Sequence, residues 1–79
     1  MDDEERRRRL RGVLIKAPAV LSGAASRSVD ARVVAEPYID QILEAFASGD
    51  EWKLKDALED VATTTRAKST ELWDALGID

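Results

Sequence analysis

Two helical apolar stripes separated by one Ser-Gly-Asp step constrain this chain more than any other feature. Ile39, Ile42, Leu43, Phe46 and Ala47 recur at i, i+3, i+4, i+7 and i+8, the spacing that gathers apolar side chains on one face of an α-helix. Pro37 suits the first helical position of that segment, and Gly49 supplies the left-handed residue that ends it. Asp50 then stands where an N-cap is wanted, Glu51 falls in the dipole-favoured first turn, and Leu54, Leu58, Val61, Ala62 and Thr65 make a second stripe. So short a connection predicts an antiparallel helix hairpin over about residues 37–48 and 51–64. The fold class expected is all-α, a small bundle of three to four short helices around that hairpin.

The flanking segments carry weaker signals. Leu72, Trp73 and Leu76 predict a last helix, with Gly77 as its left-handed stop and Ile78 placed to touch Trp73. The weak helix formers Thr63, Thr64 and Thr65 favour a break before it, capped by Thr65 or Ser69. One bent helix over residues 51–76 is the alternative, because Leu58, Ala62, Thr65, Ser69, Leu72 and Leu76 keep phase. Upstream, Leu10, Val13, Leu14 and Ala17 predict a helix over about residues 3–17 that Pro18 ends, with Ile15 widening its apolar sector. Residues 18–36 read as a connector with short helical turns, rich in Ser and Gly. Within it, residues 29–36 fit a helix capped by Ser28 with Val29 and Val33 on one side, or a strand; a lone strand has no partner, so helix is preferred. Glu36 precedes proline and is biased away from the helical region, which predicts a break there. The expected organisation is a single domain, a less well patterned part over residues 1–36 and a helical core over residues 37–79.

Composition removes most chemistry. With no Cys and no His in 79 residues, zinc sites, thiol catalysis, disulfides and Ser-His or Cys-His arrangements are excluded together. Ser22 has no nucleophile-elbow sequence around it. Asp56, Glu59 and Asp60 share a helix face, but no GxGxxG or GxxxxGK loop accompanies them, so a solvated face is expected rather than a metal or acid–base site. The chain is therefore expected to be non-enzymatic, with no catalytic residue, no cofactor and no metal. No run of 18 apolar residues exists, so no membrane span is expected. Lys16 and Pro18 interrupt the one signal-like stretch, leaving the cytoplasm as the default location. A core this small rarely supplies more than about 3–5 kcal/mol without a staple or partner, which makes a protein partner or homo-oligomer the energetic expectation.

The net charge of −4 divides unevenly. Residues 1–16 hold four acids and six bases, whereas residues 37–79 hold ten acids and four bases. Arg6, Arg7, Arg8, Arg9 and Arg11 resemble a basic arm and are the candidate nucleic-acid contacts. Asp2, Asp3, Glu4 and Glu5 precede four of them by four residues, so a self-neutralised helix start with i,i+4 pairs is favoured over that arm. Of the aromatics, Phe46 is expected in the core. Trp52 lies off its stripe, stapling the hairpin from outside or exposed as an interface anchor, and Trp73 widens the last helix's apolar face. Trp52, Trp73, Asp56, Glu59 and Asp60 are the candidate partner-binding residues.

The stretch over residues 42–62, with Gly49-Asp50 and then Ala57-Leu58-Glu59-Asp60-Val61-Ala62, resembles the core of the addiction-module antidote (antitoxin) proteins. The Ser69-Thr70-Glu71-Leu72-Trp73-Asp74-Ala75-Leu76 run is similar to that family's late helix. The resemblance implies an all-α, helix-turn-helix scaffold. Family members carry a glycine and a full extra helix between the two blocks, where this chain has only residues 63–68, so the recognition unit is missing and no DNA-contacting residue is carried over. Three functions are thus expected in order: a protein-interaction or regulatory module that self-associates or binds another protein, a small antitoxin-type nucleic-acid regulator using the arginines, and an acidic inhibitor of a nucleic-acid enzyme.

Overall fold

In the computed structural model, which describes residues 1–78, five helices follow one another: α1 (Asp3–Leu14), α2 (Pro18–Arg27), α3 (Ala31–Ala47), α4 (Glu51–Thr65) and α5 (Ser69–Leu76). There is no strand among the described residues, and the helix count exceeds the three to four expected. Residue 79 of the expected helical core lies outside the described residues. The Cα radius of gyration is 11.8 Å, close to the ~11.6 Å that length scaling gives for a compact chain. The N-terminal helices are thus packed into the body. α3 lies against α1, α2 and α4, and α5 lies against α1 and α4.

The extra helices come from residues 18–36, which are not a connector. Ala17, just before Pro18, is held extended at φ −68° and ψ 134°, as the proline ring requires of its predecessor. That ends α1 at Leu14, three residues before the expected end, and Pro18 opens α2 at a position where its missing N–H costs nothing. Ser28 closes α2 in the left-handed conformation at φ 54°, and the Val29 N–H returns to the Ala24 carbonyl at 3.0 Å. Ser28 is therefore a C-cap and not the N-cap expected. That role belongs to Asp30, whose carboxylate accepts the Arg32 N–H at 2.8 Å.

Pro37 lies inside α3, and no break occurs at Glu36. An interior proline costs about 3 kcal/mol because it removes one helical hydrogen bond and crowds the preceding turn. Tertiary packing offsets this: Ala35, Ile39 and Ile42 are fully buried on one side of α3, and Glu36 is tied to two arginines of α1. The carbonyl freed by Pro37 belongs to Val33, and both residues are exposed, where water replaces the lost donor. Val33 is 55% exposed.

The core spans the whole chain. Leu10, Leu14, Ala17 and Val20 from the N-terminal part pack with Ile39, Ile42, Leu58, Val61, Leu72 and Leu76. Phe46 is only half-buried and Ala47 is exposed, so the α3 stripe is narrower than its spacing implied. Gly49, at φ 73°, turns the chain into α4, where one Asp50 carboxylate oxygen accepts the N–H groups of Trp52 and Lys53 at 2.9 and 3.2 Å. α4 ends at Thr65, and Arg66 is left-handed at φ 66°, so residues 51–76 form two helices. Neither Thr65 nor Ser69 caps α5. Thr65 is fully buried; its hydroxyl donates to the Val61 carbonyl at 2.6 Å and accepts the Ala67 N–H at 3.2 Å, holding the joint from the α4 side. No helix lies between α4 and α5, and among the described residues no helix is long and apolar enough to cross a membrane.

Candidate interaction surfaces

The arginines of α1 lie on a helix whose buried stripe is Leu10 and Leu14, which fixes the direction of every neighbour. The i,i+4 pairs expected with residues 2–5 do not form; Asp3 meets Arg6 at 3.2 Å and Glu5 meets Arg8 at 4.0 Å, each one residue closer in sequence. The acids are drawn toward the helix start, where Asp2 accepts the Glu5 N–H at 2.8 Å as N-cap, and the arginines reach across to other helices. Arg6 Nε donates to the Leu76 carbonyl at 3.1 Å while its guanidinium lies 4.5 Å from the Phe46 ring centroid. Arg9 donates to the Asp74 carbonyl at 2.8 Å. Both carbonyls belong to the last turn of α5, which carries the negative end of the helix dipole; the Asp74 carbonyl also accepts the Gly77 N–H at 3.1 Å.

Arg7 and Arg11 bind α3. Arg7 pairs with Glu36 at 2.5 Å and with Asp40 at 2.8 Å, and Arg11 pairs with Glu36 at 3.4 Å. The hydrogen bond to Asp40, supplemented by that to Glu36, pushes the Arg7 pKa up against the opposing effect of desolvation. Of the five candidate nucleic-acid arginines, Arg8 alone makes no hydrogen bond or ion pair to another helix among the described residues; its partner is Glu5 of α1.

A different surface forms where the end of α3, the start of α4 and the end of α5 meet. Phe46, Leu54, Trp73 and Ile78 line a recess of about 280 Å³, with Asp50 and Glu51 also in its wall. Gly77 permits this: at φ 73° it turns Ile78 back, and the Met1 side chain occupies the space a Cβ there would need, 2.5 Å from Cε. Trp73 and Ile78 both line the recess. Beside Glu51, Trp52 is 71% exposed, and Lys55 Nζ sits 5.5 Å from its ring centroid. Trp52 is therefore an exposed side chain and not a staple over the core.

Asp56, Glu59 and Asp60 lie on the exposed side of α4, and Asp60 accepts Gln41 Nε2 at 2.7 Å. No cluster of three or more potential metal ligands occurs among the described residues. The recess itself is the part that sequence reading missed. Phe46 and Leu54 read as core, and Ile78 as a clasp; only the left-handed Gly77 signal pointed to a chain end folded back toward α3. No family model, no curated protein and no solved structure matches the chain.

Proposed function

We propose that this chain is a non-enzymatic protein-interaction module whose contact surfaces are the recess of Phe46, Leu54, Trp73 and Ile78 and the exposed Trp52 at the start of α4. The observation that carries the reading is Trp52, 71% exposed and next in sequence to Glu51 of the recess wall. Large aromatic side chains left in water cost free energy that a partner recovers by burying them, and tryptophan is enriched at the energetic centres of interfaces. The absence of His and Cys from the sequence supports the non-enzymatic part. Any likeness to antitoxin proteins enters on the same terms, as a likeness of scaffold without the DNA-reading helix.

The nucleic-acid reading is less favoured. It needs free cations, whereas Arg6, Arg7, Arg9 and Arg11 are engaged by α3 or α5. A photo-crosslinking residue at position 52 tests the proposal. It is expected to trap the chain's partner, or a second copy, in a discrete adduct that the same residue at position 22 does not form. Equal adducts from both positions, or none from position 52, would remove the surface from consideration.

A further inference from the structure

Building on that surface, we propose that its partner is a basic amphipathic segment that inserts one apolar or aromatic side chain into the recess and sets Lys or Arg against Asp50 and Glu51. The recess, at about 280 Å³, falls just below the range of small-molecule sites, roughly 300–1,000 Å³, and suits a single side-chain anchor. Its wall joins four apolar side chains to two carboxylates and contains no cation. The nearest guanidinium is Arg6, on the Phe46 ring, and it is already engaged by Asp3 and the Leu76 carbonyl.

The free capacity for hydrogen bonding is on the acids. Asp50 uses Oδ1 for both of its cap bonds, which leaves Oδ2 to accept from a partner. Lys55 over Trp52 illustrates on the same helix that an aromatic face here takes a cation. Residues 37–79 hold ten acids against four bases, so the field around the recess attracts a basic segment and repels an acidic one. A second copy complements this charge poorly, since Arg6, Arg7, Arg9 and Arg11 of its α1 are committed to α3 and α5 and only Arg8 is not.

The test is selection of random 16-residue peptides displayed on phage against the full chain, followed by ¹⁵N–¹H titration with the enriched peptides. Enriched sequences are expected to place Lys or Arg beside Trp, Phe or Leu, and to shift the Trp73 indole and the Ile78 amide. Glu51→Lys should weaken binding by about tenfold, Glu51→Gln by less, and the remote Arg27→Gln not at all. Ile78→Ser, at an exposed position, should weaken it independently of charge. Neutral or acidic peptides that shift the same two signals would overturn the basic partner while leaving the interaction surface standing. Absence of any enrichment at Trp73 and Ile78 would overturn both. A mass that doubles with concentration and is lost on Ile78→Ser would assign the recess to a second copy and overturn the basic segment.

Discussion

The arginines of α1 and the tryptophans of α4 and α5 are both large side chains off their helices' buried stripes, and they meet opposite fates. Arg6 and Arg9 end on carbonyls of α5, and Arg7 and Arg11 on carboxylates of α3. Trp52 ends in solvent and Trp73 lines an open recess. A run of cations next to acids reads as a solvated or ligand-binding arm, yet here it joins helices, because a guanidinium on a long stem reaches across a groove to groups that lack partners. An indole has no such reach. Trp52 stands off the buried stripe of Leu54, Ala57, Leu58, Val61 and Thr65, so its indole faces solvent.

The strongest way to break this contrast is to ask whether α1 is integral at all. Leu14 is fully buried in the common core, so Leu14→Ala should cost about 2–5 kcal/mol, enough to unfold much of a domain this small at 25 °C by far-UV circular dichroism. A loss below about 1 kcal/mol would make α1 an accessory arm. Next is the joint that places α5 and hence Trp73. Thr65→Val keeps the shape but removes the hydroxyl that serves Ala67, and is expected to lower stability by about 1–2 kcal/mol in urea titration.

Smaller effects sharpen the electrostatic side. Arg7 and its partners Glu36 and Asp40 have side chains 32%, 40% and 58% exposed, so Arg7→Ala should cost only about 0.5–1 kcal/mol, and less at high salt. If the loss is the same at 0.05 M and at 0.5 M sodium chloride, the contact of α1 with α3 owes nothing to charge. The smallest effect belongs to the Asp30–Arg32 pair, which stays within the first turn of α3. Side-chain hydrogen bonds from Arg32, then its backbone N–H, hold the Asp30 carboxyl down from its ordinary 3.8 to about 2. Because the folded value is the lower one, this cap stabilises α3 fully above the ordinary value and loses its contribution as pH falls through about 2. The Asp30 carboxyl ¹³C signal should therefore titrate near 2, and in Arg32→Ala return toward 3.8.

Much of the architecture is legible where one signal acts alone. The stripe of α4, the Gly49-Asp50 step and the Gly77 stop appear in the structure where their spacing put them. The all-α class follows from them. Local rules failed where a second interaction opposed them. The residue before Pro37 should have left the helix, but burial of Ala35 and Ile39 and the ties on Glu36 hold it in α3. Ser28 and Asp30 both carry capping side chains, and only the course of α2 decides between them. The destinations of the arginines were not legible, because an i,i+4 acid offers a local partner that looks sufficient while the Leu76 carbonyl that Arg6 reaches lies seventy residues away. The exposure of Trp52 was legible as an alternative, whereas the recess needed three helix ends brought together.

The central claim is that the arginine row holds the fold and the exposed Trp52 does not. It is tested most directly by urea unfolding of Arg6→Ala beside Trp52→Ala at one pH and salt concentration. Arg6→Ala should lower the unfolding free energy by about 1–3 kcal/mol, through loss of its hydrogen bond to Leu76 and its place over Phe46. Trp52→Ala should stay within about 0.5 kcal/mol of the parent. A larger loss from Trp52→Ala than from Arg6→Ala would contradict the account, making the tryptophan a structural element and the arginine a free cation.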